Sequence, residues 1–281
     1  MKKEYKLLRK GKVKDIYEVD KDTLLFIFSN RVSAFDVILP SMIPRKGEVL
    51  CKFAEFWFST LPIGNHMISL HGKNGMFVKR LNMIPIECVV RGYLYGSYYE
   101  RIRKGEIKFD GEPILASKLK EPIFDPTTKS EEKDVPITKE DAISMNLIDE
   151  ESYEFIKEKS IMLYKKMSDI VSNAGFIIAD VKFEFGIDEK SGKILLADSL
   201  GPDEFRLWVK DSYKVGKVQE SFDKQPVRDW LTNIGYKARL DEARKRGERI
   251  PKPPELPNDL INLISKRYIE AYERISGMKL S

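Results

Sequence analysis

The chain reads as an α+β protein with a largely antiparallel sheet, on three observations. Two β-rich runs near the start, "KVKDIYEV" and "TLLFIFS", are separated by "DKD", a turn of hairpin length. The stretch "ADVKFEFG", residues 179–186, alternates charged and apolar residues at every second position, the period of a strand with two unlike faces. Segments with helical spacing and recognisable caps lie between and after these runs.

Composition narrows the class. The 281 residues, 42% of them hydrophobic, suffice for one or two closely packed domains. With 49 basic against 44 acidic side chains the net charge is +5, a mild surplus that suits an enzyme for anionic substrates at least as well as a nucleic-acid binder. Cys51, Cys88, His66 and His71 lack the paired spacing of a zinc site, so both cysteines are expected reduced and buried. The opening "MKKEYKLLRKGK" has no apolar run of about 7–15 residues after its charges, and no stretch approaches the roughly 20 apolar residues of a membrane span. The expectation is a soluble cytoplasmic protein with neither membrane nor nucleic acid as partner.

Taken in order, the first forty residues predict strands and an N-terminal sheet. "GEVLCKFAEFWFSTLP" follows as a helix, with Leu50, Phe53, Phe56, Trp57 and Leu61 at helical spacing and Pro62 as its stop. "IECVV" is a short strand, after which the Gly-punctuated "RGYLYGS" passes to helix or loop. Residues 105–137 hold four prolines and little periodicity, which predicts a long loop. Thr138 caps a helix with Asp141 as its capping-box partner. A longer helix over about 151–172 carries Ile156, Leu163, Met167, Ile170 and Val171 on its apolar side, with Gly175 just past its end. After "DSLGPDEFRLW" an irregular stretch is expected. The chain closes with a helix whose stripe is Leu260, Ile261, Ile264, Tyr268, Tyr272 and Ile275.

The alternating strand belongs to "FEFGIDEKSGKILLADSL", a hairpin whose register, centred on Ser191, sets Glu184 opposite Asp198. Directly opposed carboxylates repel, so something positive belongs between them: Lys182, a substrate amine or a divalent ion. Oxygen-only ligation with no histidine or cysteine nearby favours Mg²⁺. The competing reading is a solvated face with an ion pair. It loses ground because Phe183 and Phe185 cover the other face and the chain leads into "GPDEFR", which adds Asp203 and Arg206 at a loop.

Two further clusters suit phosphate. In "RKGKVKDIY", Lys12 and Lys14 are expected on one side of a strand just after Gly11, one way to hold a nucleotide, although a lysine-rich solvated strand would read the same. The pattern G-x-x-x-x-G-K-[ST] is absent, so any nucleotide site is of another type. Arg91, with Ser97 beside Gly96, makes a guanidinium-and-hydroxyl seat for a phosphomonoester, or else a structural arginine paired to an acid.

The segments "IPIECVVRGYLYGS" and "IADVKFEFG" resemble the two signatures of the SAICAR synthetase family of purine biosynthesis, and "GKVKDIYEV", "LADSLGPDEFRLW" and "ESFDKQPVRDWL" resemble its further landmarks in order. "EPIFDPTTKSEEKD" and the long C-terminal stretch look like the longer, fungal-type form. The resemblance implies a two-lobed α+β fold, with a β-rich nucleotide lobe over 1–84 and a larger substrate lobe over 85–281. It implies an ATP-dependent ligation of L-aspartate to 4-carboxy-5-aminoimidazole ribotide through an acyl phosphate, by a monomer or homodimer. ATP phosphates would meet Lys12, Val13 and Lys14, and adenine the segment of Arg80 and Met83. Glu184 and Asp198 would carry Mg²⁺. Asp180 and Lys182 would face the imidazole and its carboxylate as the catalytic pair, Arg91, Ser97 and Arg206 would grip the 5′-phosphate, and Asp203 would touch the ribotide. Ser33, Asp36 and Lys129 are the candidates for aspartate. Lys224 and Arg228 would close over the substrates, and Trp230 is expected in the core.

Two other classes compete. A kinase-type phosphotransferase would share the lysines and acids, but H-R-D-L-x-x-x-N and D-F-G are missing. A basic RNA-binding module would interleave aromatics with lysines on one sheet face, where this face carries acids.

Overall fold

The computed structural model describes residues 5–129 and 135–280. Five strands come first: β1 (Lys6–Lys10), β2 (Lys14–Glu18), β3 (Thr23–Phe28), β4 (Arg31–Ala34) and β5 (Val37–Met42). Helix α1 (Lys46–Thr60) leads to β6 (Met67–His71), β7 (Gly75–Lys79), β8 (Asn82–Met83) and β9 (Ile86–Tyr93). Next come α2 (Gly96–Arg103), β10 (Lys118–Phe124), β11 (Thr127–Thr128), α3 (Lys139–Ser144) and α4 (Glu150–Asn173). The chain ends through β12 (Phe176–Ile187), β13 (Ile194–Ala197), β14 (Phe205–Val209), α5 (Gln225–Asn233), α6 (Tyr236–Arg246) and α7 (Asn258–Ser276). Mixed helix and antiparallel sheet is what the sequence predicts.

The chain divides into two compact units. The first joins the described residues up to Glu55, Met67–Arg80 and the stretch from Phe222 onward; the second joins Phe56–His66 and Leu81–Ser221. This partition differs from a single boundary at 84/85, and the reason is the C-terminal helix. Its stripe of Ile264, Tyr268, Tyr272 and Ile275 is buried, Tyr272 meets Phe53 edge-on at 5.4 Å, and Ser265 Oγ donates to the Pro44 carbonyl at 2.7 Å. In the first unit the sheet runs β1-β2-β3-β7-β6, with β4 and β5 paired separately.

In the second unit a seven-stranded sheet runs β10-β9-β12-β13, with β11 on β9 and both β8 and β14 on β12. Val181, Phe183 and Phe185 are fully buried, each apolar side chain contributing roughly 2 kcal/mol. Cys88 stands opposite Phe183 in register, and α4 packs on β12, β9 and β10. Asp149 caps α4 by accepting from the Ser152 N–H at 2.8 Å, and Gly175, at φ 80°, turns the chain out of it. The predicted Thr138–Asp141 capping box is present on α3.

Three expectations give way. The loop over 105–137, of which 130–134 lie outside the described residues, contains β10 and β11, both paired to β9; Pro122, with no N–H to give, falls in the register shift between Lys118 and Ile123. The irregular stretch after β14 contains α5 and α6. The second of these buries only Tyr236, Leu240 and Ala243 among many charges, so its stripe is faint. Trp230 is half-buried rather than core, because the buried face of α5 is Val227 and Leu231, one position away. No helix among the described residues is long and apolar enough to cross a membrane.

Candidate active site

Strand register in the second unit builds a row of charges across three strands. On β12, Asp180 stands opposite Arg91 of β9 and opposite Arg206 of β14. Arg206 Nη1 donates to Asp180 Oδ2, and Arg91 Nη1 lies 3.8 Å from the same oxygen. Arg91 is almost enclosed: its Nε donates to Asp125 Oδ2 at 2.6 Å and its Nη2 to Ser97 Oγ at 3.2 Å. The structure thus brings Arg91, Ser97 and Arg206 together, and the group includes a carboxylate, Asp125, that the sequence reading did not single out.

Helix α2 starts at this group. Tyr95 precedes it in an extended conformation and its side chain makes no capping hydrogen bond. Gly96 has φ 58°, and a Cβ there would lie 3.0 Å from Arg206 Nη2. Glycine therefore lets the guanidinium approach the start of the helix.

Two residues further along β12, Lys182 Nζ donates to Glu87 Oε1 at 2.6 Å and lies 3.7 Å from Glu184 Oε1. Lys129 Nζ donates to Glu184 Oε2. Burial would lower the Lys182 ammonium, but Glu184, Glu87 and Asp198 outweigh it and hold the amine above the ordinary lysine value. Lys129 is raised in the same way: burial opposes the charge, and Glu184 and Asp198 overcome it. Both amines are cationic at neutral pH. Glu87 was also missed, although Glu87 and Arg91 share one face of β9 by the same period-two rule that exposed the hairpin acids.

The hairpin register corrects the expected pairing by one residue: Glu184 stands opposite Ala197, not Asp198. The turn is centred between Lys190 and Ser191, closed by Gly192 N–H to the Asp188 carbonyl at 2.8 Å. A one-residue slip would send the next side chain to the other face. Asp198 lies beyond β13 in a left-handed conformation, φ 62°, and still acts on Lys129 and Lys182 electrostatically. A His66 ring nitrogen lies 3.2 Å from the Asp198 carbonyl oxygen. Strained backbone of this kind costs roughly 1–3 kcal/mol and gathers at functional sites. Asp203 sits in the turn before β14, and Met83 on β8 pairs with Gly186 of β12.

In the first unit, Lys12 and Lys14 do not share a strand side. Gly11 N–H bonds the Lys14 carbonyl at 2.9 Å, closing a tight turn that leaves Lys12 exposed and starts β2 at Lys14. Lys12 Nζ donates to Asp36 Oδ1 at 2.6 Å, while Lys14 is buried over the Phe26 and Phe28 rings. Burial would raise the Asp36 carboxyl, but the Lys12 hydrogen bond, with the charges of Lys12, Arg244 and Lys224, leaves it below the ordinary carboxylate value. The Val13 carbonyl accepts from Ser29 Oγ, Ser33 is buried on β4, and Arg80 pairs with Glu18 at 2.6 Å. Of the aspartate candidates, Ser33 and Asp36 thus belong to the first unit and Lys129 to the second.

Sheet, helix start and paired charges define an α+β scaffold that gathers cationic and acidic side chains on one face. The family model for SAICAR synthetase matches residues 7–243. The phosphoribosylaminoimidazole-succinocarboxamide synthase of Nitrosopumilus maritimus (strain SCM1) is 55% identical over 275 residues, 97% of this chain and 99% of that protein. SAICAR synthase from Saccharomyces cerevisiae, complexed with SAICAR, is similar with TM-score 0.81 and 36% identity, over 98% of this chain and 96% of that one. A SAICAR synthetase in complex with ADP is similar with TM-score 0.73 and 26% identity, over 96% and 98%. The chain belongs to the SAICAR synthetase family.

Proposed function

We propose that the chain joins L-aspartate to 4-carboxy-5-aminoimidazole ribotide, giving SAICAR, ADP and phosphate. Family membership makes it an ATP-dependent carbon–nitrogen ligase of purine biosynthesis, and the phosphotransferase and RNA-binding readings are not favoured. The observation that carries the substrate reading is the Arg91–Asp180–Arg206 row with Lys182 beside it, a seat for a phosphate next to a fixed ammonium for a carboxylate.

A carboxylate is a poor electrophile. ATP first transfers its γ-phosphoryl group to a ribotide carboxylate oxygen, leaving ADP and an acyl phosphate. The uncharged aspartate amine then attacks the acyl carbon, the C–O bond to phosphate breaks, and the amine proton departs to solvent. Positioning and charge neutralisation supply most of the acceleration in such transfers. Lys182 offsets the ribotide carboxylate, Asp180 orients Arg91 and Arg206, and Arg91, Ser97 and Arg206 hold the 5′-phosphate with Asp203 at the ribotide. Lys12, Val13 and Lys14 receive the ATP phosphates, and Arg80 and Met83 flank the adenine. Ser33, Asp36 and Lys129 are the candidates for aspartate. The reading places the enzyme in the cytoplasm as a monomer or homodimer, without nucleic acid as partner.

The reading gives Mg²⁺ to Glu184 and Asp198. Glu184 is buried and already holds an ammonium, and no group of three or more His, Cys, Asp or Glu gathers for a metal among the described residues. That donor set suits an ion completed by substrate oxygens, since Mg²⁺ typically takes one or two carboxylates plus phosphate. When bound, the ion would neutralise charge on the ATP phosphates.

The test is ADP release with ATP, Mg²⁺, the ribotide and L-aspartate, each omitted in turn. ADP forming only with all four, in step with SAICAR, is expected. ADP released without the ribotide would return the phosphotransferase reading.

A further inference from the structure

Asp125 closes the strand-to-loop step "IFDPTT". Its backbone N–H donates to the Val89 carbonyl at 2.8 Å, two residues before Arg91 on the neighbouring strand, and Pro126 restricts it to an extended conformation. Oδ2 accepts from Arg91 Nε at 2.6 Å and Oδ1 accepts from Arg101 Nη2, so a single buried carboxylate bridges two guanidinium groups. The Tyr98 ring lies against both, 5.7 Å from the Arg91 guanidinium carbon and 5.5 Å from that of Arg101.

A guanidinium has two edges, and a phosphate is best held by two parallel N–H groups. Asp125 takes the Nε edge of Arg91. The Nη groups are left pointing to Ser97 Oγ and toward Asp180. Without Asp125, Arg91 could turn its Nε edge to the ligand, and two like charges packed on one tyrosine would repel. Arg101 offsets the charge of Asp125, so the surrounding of Arg91 stays cationic.

We infer that Asp125 is a positioning residue for the substrate phosphate: it fixes the orientation of Arg91, with Arg101 as its counter-cation. The inference rests on the reading that Arg91 holds the ribotide 5′-phosphate. Its test therefore compares the ribotide with the corresponding riboside, which lacks that phosphate, as alternative substrates of the full chain.

The wild-type enzyme should prefer the ribotide strongly in kcat/KM, and Arg91→Ala should erase most of the preference. Asp125→Asn should lower the preference by about tenfold through the ribotide KM, the scale expected when a binding group is misplaced by a fraction of an ångström. The KM values of ATP and aspartate should stay within about twofold, a selectivity that a general loss of packing would not produce. Asp125→Asn added to Arg91→Ala should cost nothing further, because both act through one contact. Arg101→Gln, the second variant should Asp125→Asn fold poorly, should lower the preference less than tenfold.

A folded Asp125→Asn enzyme with wild-type preference would overturn the inference while leaving Arg91 in the seat. A larger loss from Arg101→Gln than from Asp125→Asn would overturn it too, by making Arg101 the phosphate ligand. A wild-type enzyme that does not discriminate would remove the seat itself, and an Arg91→Ala enzyme with the full preference would take Arg91 out of it; either result removes the role of Asp125.

Discussion

Lys12 and Asp36 form their ion pair with side chains 46% and 43% exposed, whereas Arg91 and Asp125 form theirs at 8% and 10%. Both pairs belong to clusters we connect with phosphate, but the physics differs. In the first unit the lysine reaches from a turn into water, where an ion pair is screened and contributes about 0–1 kcal/mol. In the second unit Arg91 is held on β9 against a buried carboxylate at the end of β10, and losing one partner leaves a buried charge uncompensated. The contrast predicts that substitutions on the β9–β12–β14 face cost both stability and turnover. Those in the Gly11 turn should touch binding alone.

The largest effect is expected at Lys182. Lys182→Met leaves Glu87 and Glu184 without their shared ammonium, so turnover should fall by about 10³-fold and stability by about 3 kcal/mol, read by steady-state assay and urea unfolding. Turnover near wild type would break the comparison at its strongest point. Asp198→Asn should nearly abolish turnover while the fold stays intact by circular dichroism; full activity would remove Asp198 from the metal and phosphate assignment.

Arg91→Ala comes next. It should raise the ribotide KM by roughly 10²-fold with little change for ATP, and equal effects on both substrates would take Arg91 out of the seat. Lys12→Ala should change stability by less than about 0.5 kcal/mol and raise the ATP KM more at low salt than at high salt. A loss of several kcal/mol there would show that exposed and buried pairs are not the distinct classes drawn above.

The smallest effects concern protons. The Lys129 and Lys182 values rise above 10.5 in the folded state, so their stabilisation is complete below that pH and is lost only as pH rises through the folded values. Asp36 shifts below 3.8, so its contribution is present above that pH and lost as pH falls through the folded value. Between pH 7 and pH 9 neither lysine should contribute to a change in unfolding free energy, and a drop at pH 9 that vanishes in Lys182→Met would contradict the assignment. Burial pushes the Cys51 thiol up to about 12 and Cys88 higher still, so a thiol reagent at pH 8 should find neither until the protein unfolds.

What was legible in the sequence follows from range. Asp180, Lys182 and Glu184 declared themselves through period-two alternation, and the Thr138 cap through residues three apart; both signals are local. Asp125 and Arg101 were invisible because their partnership with Arg91 crosses 34 residues or joins a loop to a helix, and "FDPTT" carries no periodic pattern. The strands inside 105–137 were hidden for a related reason. "KLKEPIF" has neither alternation nor an uninterrupted run, and it becomes a strand only because β9 offers it partners. The hairpin shows the limit from the other side: its existence was plain, but one residue of turn geometry decided which side chain faces Glu184.

The central claim is that ATP activates the ribotide carboxylate held beside Lys182. Its most direct test is oxygen transfer, with the ribotide carboxylate labelled with ¹⁸O and the released phosphate analysed by mass spectrometry or by ³¹P resonance. The account predicts one ¹⁸O atom in each phosphate formed, appearing at the rate of SAICAR. Phosphate free of label, with SAICAR still produced, would mean that the carboxylate oxygen never bonds to phosphorus, and the acyl-phosphate account would be wrong.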